Sequence, residues 1–113
     1  MIEARCHCGK LKLDVKTAPE WVGSCNCSIC RRTGGLWAYY PPVEVRCDEA
    51  SKASSKYVWG DRTLTLHFCG NCGCVTHWTP ADPAYDRMGV NARMMPDVNL
   101  DEIEVRPIDG ASF

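Results

Sequence analysis

The sequence predicts a single small antiparallel all-β domain that spans residues 1–113. Apolar residues recur at every second position in several segments, which is the period of a strand with one buried face. Glycine and proline residues separate these segments at short intervals, as is typical of short strands joined by turns. No stretch carries an apolar stripe over three helical turns, and a chain of this length is expected to form one domain.

The alternation defines the predicted strands in chain order. It is clearest in four segments, which cover residues 11–15, 43–47, 64–68 and 103–106. Shorter strands are predicted at residues 21–22, 36–40, 56–59, 75–78 and 87–90. We predict a loop at residues 48–56, where Ser and Ala are frequent, with a helical turn as the alternative. A second loop is predicted at residues 80–86, which contain two prolines.

The charge balance and the hydropathy pattern exclude several classes of protein. Thirteen basic and fourteen acidic side chains leave a formal net charge of −1, which argues against a protein dedicated to nucleic acid or another polyanion. No apolar run approaches the roughly 20 residues that span a bilayer. The first residues do not form the apolar core of a signal peptide. We therefore expect a soluble cytoplasmic protein that makes no contact with membranes.

The chain combines a low apolar content with a high cysteine content. Leu, Ile, Val and Phe together account for 21 residues, which is few for a globular core, whereas cysteine occurs nine times. A domain with a small core needs additional cross-links, which are either disulfides or metal ions. Because nine is an odd number and nothing indicates secretion, the sequence favours metal binding.

Two closely spaced cysteine pairs are suited to a structural zinc site. Cys69 and Cys72 form a CxxC turn, while Cys6 and Cys8 are separated by one residue and followed by a glycine. Each pair can direct two thiolates at one ion, and a closed tetrahedral site needs four. We predict that the two pairs hold one zinc ion together, which would contribute directly to folding. A disulfide pair or unrelated buried thiols are the alternative.

Three further cysteines, Cys25, Cys27 and Cys30, lie within six residues of one another. Three thiolates on one loop leave one coordination position free, which is the pattern of a catalytic zinc site. A zinc ion with three thiolates is a weak Lewis acid, and it suits a soft incoming ligand such as another thiol. A thiol bound there is deprotonated, so the group is predicted to hold a substrate thiolate beside an electrophile.

Several alternatives remain open for this group of three. A fourth protein ligand from Cys74, His67 or His77 could close the site. A redox pair within the motif is a second alternative, and an iron–sulfur cluster fits less well because CxCxxC is not a usual ferredoxin spacing. Arg31 and Arg32 follow directly and could offset the negative charge or bind substrate carboxylates, or could simply form a solvated turn.

The motifs resemble the glutathione-dependent formaldehyde-activating enzyme family, which includes a centromere-associated branch. Three blocks carry the resemblance: Cys6-His7-Cys8-Gly9, Cys25-x-Cys27-x-x-Cys30-Arg31-Arg32 and Phe68-Cys69-x-x-Cys72-Gly73. Their order and rough spacing agree from about residue 1 to residue 78, and the tail over residues 90–111 also looks like the end of compact family members.

The resemblance implies stacked antiparallel sheets, called a β-tent, with a structural zinc on the two cysteine pairs and a catalytic zinc on the group of three. It implies S-hydroxymethylglutathione synthesis from glutathione and formaldehyde, a carbon–sulfur lyase activity, so a small thiol and a small aldehyde are the expected partners. In the mechanism we infer, the thiolate attacks the carbonyl and Arg31 stabilises the developing alkoxide. The chain is short compared with the founding enzyme, so the resemblance assigns no glutathione contacts.

The remaining cysteines and the histidines are expected to have structural or surface roles. Cys47 and Cys74 lie outside the metal pattern, and we expect both to pack in the interior. Strand alternation places His7, His67 and His77 on the surface. The alternative for His67 and His77 is a hydrogen bond to a zinc-bound sulfur.

The aromatic residues are expected either beside the second metal site or in the core. Trp37, Tyr39 and Tyr40 could form the wall of a pocket next to the group of three, or could pack within the sheet. Trp59 and Trp78 are expected in the core.

Three functions are compatible with these patterns. The first is an enzyme that adds a thiol to a small aldehyde or catalyses the reverse reaction. The second is an interaction module in which both metal sites are closed and structural. The third is a thiol-redox or metal-storage protein.

Overall fold

The strands form two sheets in the computed structural model, which describes residues 1–112. The smaller sheet contains β1 (Ile2–Arg5), β2 (Lys12–Val15) and β5 (Val45–Arg46), in that order. The larger sheet contains β3 (Trp21–Cys25), β4 (Trp37–Tyr40), β6 (Ser55–Tyr57), β7 (Leu64–Phe68), β8 (Val75–Pro80), β9 (Met88–Asn91) and β10 (Glu104–Ile108). Its strand order is β10-β3-β4-β9-β8-β7-β6. The prediction of a mostly β fold with two sheets is therefore confirmed.

Two short α-helices, α1 (Ser28–Thr33) and α2 (Asp48–Ala53), complete the regular structure of residues 1–112, together with 3-10 turns at Pro42–Glu44, Ala92–Met94 and Gly110–Ser112. The predicted loop over residues 48–56 is wrong, because α2 forms there. Ala50 is the only buried residue of α2, so the helix has no apolar stripe to reveal it. Asp48 and Glu49 lie in its first turn, where negative charge stabilises a helix.

The strand predictions need three further corrections. β1 was not predicted, because only Ala4 in this short strand is buried and the pattern is too brief to recognise. Val43, predicted in a strand, is 91% exposed in a 3-10 turn that precedes β5. The expectation of purely antiparallel pairing fails at one edge, where β10 runs parallel to β3 and Ile108 pairs with Cys25.

Side chains from both sheets meet in one apolar cluster, so the core lies between the sheets. It contains Ala4, Leu11, Leu13, Val15, Val22, Ala38, Tyr40, Met88, Val90 and Met95, among other residues. Two of its members, Cys6 and Cys69, belong to the predicted zinc site. The core and this cysteine group are therefore continuous.

His67 and His77 are buried, which contradicts the expectation that they lie on the surface. Their rings stack with centroids 4.2 Å apart, because the two residues lie opposite one another in the β7–β8 pairing. Ser51 Oγ of α2 lies 2.8 Å from His77 Nε2, and Ser54 Oγ lies 2.8 Å from His67 Nδ1. The expectation for His7 agrees with the structure, since this residue is exposed.

The other two ring nitrogens of this pair are also hydrogen-bonded. Thr79 Oγ1 lies 2.8 Å from His67 Nε2, and Thr76 Oγ1 lies 2.8 Å from His77 Nδ1. All four ring nitrogens therefore have hydroxyl partners within the protein. A buried polar network of this kind is stable only when its groups are satisfied and neutral.

Burial keeps both rings neutral. Burial and the nearby charge of Lys56 lower the pKa of His67 to about 4. Burial, the neighbouring His67 and Lys56 lower the pKa of His77 to about 3. Because an unfolded histidine has a pKa near 6.5, the unfolded chain takes up more protons as the pH falls below that value. Their contribution to stability is thus complete above about pH 6.5 and decreases toward acid.

We predict that both imidazoles of the folded protein remain neutral at pH 5.5. For each pH unit below 6.5, the free energy of unfolding should fall by up to about 1.4 kcal/mol per histidine, because the unfolded chain binds protons that the folded chain does not. Nitrogen-15 and carbon-13 shifts of the two rings measure their protonation directly. N-acetylhistidine in the same sample provides the reference titration. A titration midpoint above pH 6 for either ring in the folded protein would contradict this prediction.

Candidate metal centres and the adjoining cavity

The two cysteine pairs converge on one point. The sulfur atoms of Cys6, Cys8, Cys69 and Cys72 all lie within 4.8 Å of one another. Sγ of Cys8 is 3.6 Å from Sγ of Cys6 and 3.6 Å from Sγ of Cys69. A tetrahedral zinc site with bonds of about 2.3 Å has sulfur–sulfur separations of roughly 3.8 Å, so the four donors fit such an ion.

Matching turns place the two pairs. The N–H of Gly9 donates to the carbonyl of Cys6 at 3.1 Å, and the N–H of Gly73 donates to the carbonyl of Cys69 at 2.8 Å. Gly9 and Gly73 both adopt the left-handed conformation, with φ of 80° and 81°, which favours glycine at each turn. The N–H of Leu11 also donates to Sγ of Cys6 at 3.3 Å.

The thiols of this group differ in their affinity for protons. Hydrogen bonds from the backbone N–H groups of Cys74 and Cys8 lower the pKa of Cys72 to about 5. Burial raises the pKa of Cys6 to about 11. The fold therefore stabilises one thiolate with backbone donors, whereas the buried sulfur of Cys6 needs a cation to ionise at neutral pH.

The group of three lies at the end of β3 and the start of α1. Cys25 ends β3, Cys27 is the N-cap of α1, and Cys30 is in its first turn. Their sulfur atoms lie within 4.8 Å of one another, and all three residues are partly exposed. The N–H of Arg31 donates to the carbonyl of Cys27 at 2.9 Å, so the first helical turn sets the spacing between Cys27 and Cys30.

A C-terminal segment holds this loop in place. The N–H of Asn26 donates to the carbonyl of Ile108 at 3.0 Å, and Asn26 Nδ2 donates to Asp109 Oδ1 at 2.9 Å. Gly110 packs directly against Sγ of Cys25, so that no Cβ could be accommodated there. The sequence analysis missed Asn26 and Gly110, because their role depends on a parallel strand pairing between distant parts of the chain.

Within residues 1–112, no fourth Cys, His, Asp or Glu ligand atom joins the three sulfurs at ligand distance. The candidates considered above lie elsewhere. His67 and His77 are engaged in the network beneath α2, and Cys74 packs against the core. Cys47 is also partly buried and packs against the core, and its burial raises the pKa of its thiol.

Hydrogen bonds and burial have opposite effects on the pKa values of the thiols in the group of three. Burial raises the pKa of Cys30 to about 12, with a further contribution from Cys27. Burial also opposes ionisation of Cys27, but hydrogen bonds from the Cys30 N–H and the neighbouring thiols outweigh it and lower the pKa of Cys27. The indole N–H of Trp37 donates to Sγ of Cys30 at 3.4 Å. Several soft donors in this environment suit a thiophilic cation.

A cavity of about 820 Å³ opens beside the three sulfurs. Its aromatic walls are Trp37, Tyr39, Trp59, Trp78 and Tyr85. Its aliphatic walls are Ile29, Leu64, Leu66, Ala81 and Ile108. Its polar walls are Asp61, Arg62, Thr63 and Asp82. The volume falls in the range of sites that bind small organic molecules.

The cavity corrects part of the aromatic predictions. Trp37 and Tyr39 do form a wall beside the group of three, whereas Tyr40 is buried in the core. Trp59 and Trp78 are partly exposed in the cavity wall instead of buried in the core. Trp78 lines the cavity from β8, and Trp59 lines it from the loop that follows β6.

The arginine that lines the cavity is not one of the two that follow the group of three in the sequence. Arg31 and Arg32 are exposed on α1 and do not line the cavity. Arg62 does line it, from a turn in which its φ is 61°. No local sequence signal singles out Arg62, since its position depends on how the β6–β7 connection folds over the sheet.

Comparison with known proteins agrees with the geometry. A sequence model of the family described as glutathione-dependent formaldehyde-activating enzyme matches residues 1–108. The chain belongs to this family. The family assignment made from the cysteine motifs is thereby confirmed, and it associates the chain with enzymes that activate formaldehyde.

A solved structure supports the same fold. The crystal structure of a Rhodobacter sphaeroides protein from a structural genomics programme is similar to this chain, with a TM-score of 0.76 and 28% sequence identity. The match covers 93% of this chain and 100% of that one. Among residues 1–112, no helix has both the length and the apolar character needed to cross a membrane.

We predict that Cys69→Ser lowers the melting temperature of the zinc-loaded protein by more than about 10 °C, because it removes a donor that joins two distant turns. Circular dichroism during heating measures the change. Cys47→Ser, which alters a partly buried thiol outside both groups, is the matched control and should shift the melting temperature by less than half as much. Equal shifts for the two variants would contradict a structural role for the four-cysteine group.

We predict that Gly110→Ala displaces Cys25 and weakens metal retention at the group of three by at least about tenfold, while the four-cysteine group keeps its metal. A chelator competition followed by elemental analysis measures both populations. Ala111→Ser, an exposed change at the next residue, serves as the control. Unchanged retention in Gly110→Ala would show that the C-terminal segment does not position Cys25.

Proposed function

We propose that the protein is a zinc-dependent carbon–sulfur lyase-like enzyme that adds a small thiol of the glutathione type to formaldehyde or a related small aldehyde, or catalyses the reverse reaction. Cys6, Cys8, Cys69 and Cys72 would hold a structural zinc ion. A second, catalytic zinc ion would be held by the three cysteines of the β3–α1 junction, namely Cys25, Cys27 and Cys30.

One observation carries this proposal. Three sulfur donors lie together in the lining of a cavity, and no fourth protein ligand of the usual kinds accompanies them within residues 1–112. A purely structural zinc site has four protein ligands, whereas a catalytic site leaves a position for a substrate. Membership of the formaldehyde-activating family and the cavity beside the sulfurs support the same proposal.

The overall reaction needs no oxidant or reductant. The sulfur of the thiol forms a bond to the carbonyl carbon, the carbonyl π electrons move to oxygen, and the thiol proton ends on that oxygen. A zinc ion at the group of three would keep the incoming thiol in its reactive, deprotonated form. The cavity walls would exclude water and orient the thiol, and Trp37 would hold Cys30 through its indole hydrogen bond.

Arg31 is assigned a supporting electrostatic role in this proposal. Its side chain is exposed, and it follows Cys30 directly on α1. Its positive charge would partly offset the negative charge of three thiolates and of the alkoxide that develops during addition.

We predict that the metal-loaded protein accelerates the exchange between formaldehyde and its glutathione adduct, and that Cys27→Ser reduces this acceleration by at least about 100-fold. Two-dimensional exchange NMR measures the rate above the spontaneous background. Cys47→Ser should retain the rate, since Cys47 lies outside the site. A metal-loaded protein that accelerates addition of none of several thiols would contradict the proposal and favour an interaction module with two structural sites.

We also predict two zinc ions per chain by elemental analysis, and about one in the variant Cys27→Ser. During a mild chelator challenge, added glutathione should slow the loss of one of the two ions because it occupies the open position. A constant value of one zinc per chain would argue that the group of three does not hold a metal.

A further inference from the structure

We propose that the cavity selects thiols whose organic group is uncharged and aromatic, in preference to thiols with two carboxylates such as glutathione. This inference rests on the proposed function, because it specifies the substrate class of the same site. It follows from the wall chemistry of this chain, which is rich in aromatic faces and poor in cations.

The cavity is much larger than formaldehyde needs. At about 820 Å³ it is in the size range of sites that surround a drug-sized molecule, so its walls are available to contact the organic group of the thiol. The same lining contains the three cysteines and the aromatic side chains of Tyr39, Trp59, Trp78 and Tyr85. A thiol bound at the sulfurs would therefore extend along aromatic surfaces.

The aromatic walls pack against neighbouring rings. Tyr39 contacts Trp78 edge to face with ring centroids 6.5 Å apart, and Trp59 stacks on Tyr57 with centroids 5.3 Å apart. Trp37 is 2% exposed and its N–H donates to Cys30, so it supports the wall and presents little surface of its own. Tyr39, Trp59 and Trp78 are partly exposed and offer the ring surface that a flat aromatic group recognises.

The charges of the lining disfavour a thiol whose organic group carries a net negative charge. Asp61 and Asp82 contribute two carboxylates, against one guanidinium from Arg62. The guanidinium of Arg87 lies 4.1 Å from the ring centroid of Tyr39, where a cation–π contact engages it. Three thiolates with one zinc ion add a further net negative charge.

The consequence for glutathione is unfavourable. Its ammonium group offsets one of its two carboxylates, so its organic group keeps a net negative charge beside two aspartates and the cysteine group. Arg62 is the one cationic side chain among the lining residues described. An uncharged thiol avoids this repulsion and replaces water on the aromatic walls.

The test is calorimetric titration of the zinc-loaded protein with benzyl mercaptan, glutathione and benzyl alcohol, the last of which keeps the ring but lacks the sulfur. We expect benzyl mercaptan to bind at least about tenfold more tightly than glutathione. Trp59→Ala should weaken the binding of benzyl mercaptan about five- to tenfold and change the affinity for glutathione by less than about twofold. Trp59→Phe should restore most of the lost affinity for benzyl mercaptan. Val43→Ala, which removes an exposed apolar side chain outside the cavity, is the control.

The outcomes separate this inference from the proposed function. If glutathione binds as tightly as benzyl mercaptan, or if Trp59→Ala changes nothing, the inference is overturned while thiol addition still stands. If benzyl alcohol binds as tightly as benzyl mercaptan and depends equally on Trp59, the aromatic selectivity is supported but thiol binding at the metal, and with it the proposed function, is contradicted.

Discussion

Four thiol groups from two distant turns meet with their sulfur atoms within 4.8 Å of one another, close enough to hold one metal ion together. The turn between β1 and β2 supplies two of them, and the turn between β7 and β8 supplies the others. Four thiolates so close together would repel one another unless a cation lay between them, so a metal ion bound there would couple metal binding to folding. Cys6 and Cys69 are also core residues, which makes the metal group an extension of a small apolar core.

The second group of cysteines is positioned by different interactions. α1 has no buried residues, so packing of this helix in the core does not hold Cys30 in place. Their geometry depends on the β3–β10 pairing and on the contact between Gly110 and Cys25. This arrangement leaves one side of the three sulfurs open to the cavity, where the walls come from β4, β7 and β8 and from the loops that follow β6 and β8.

The features that the sequence predicts well are local. Cysteine spacing within a turn is a property of a few residues, so the sequence alone predicts both cysteine groups. The alternation of apolar and polar residues also predicts most of the strands, because one face of each strand packs against the core. The family followed from the same motifs and is confirmed by the match over residues 1–108.

The features that the sequence does not reveal depend on tertiary contacts. His67 and His77 alternate with apolar neighbours as surface residues do, and they are buried because α2 covers them and supplies hydroxyl partners. α2 itself has a single buried residue, so periodicity could not identify it. Arg62 and Gly110 reach the site through chain segments far from the cysteines, and only the folded sheet brings them there.

Zinc X-ray absorption spectroscopy of the zinc-loaded protein, without added small thiols, tests the central claim most directly, because it counts the sulfur atoms bound to each zinc ion. A four-sulfur site and a three-sulfur site in equal amounts predict an average of about 3.5 sulfur atoms per zinc, which should rise to about 4 when excess small thiol is added. An average of four sulfur atoms before any thiol is added, or a value that does not change with thiol, would contradict an open metal site in this protein.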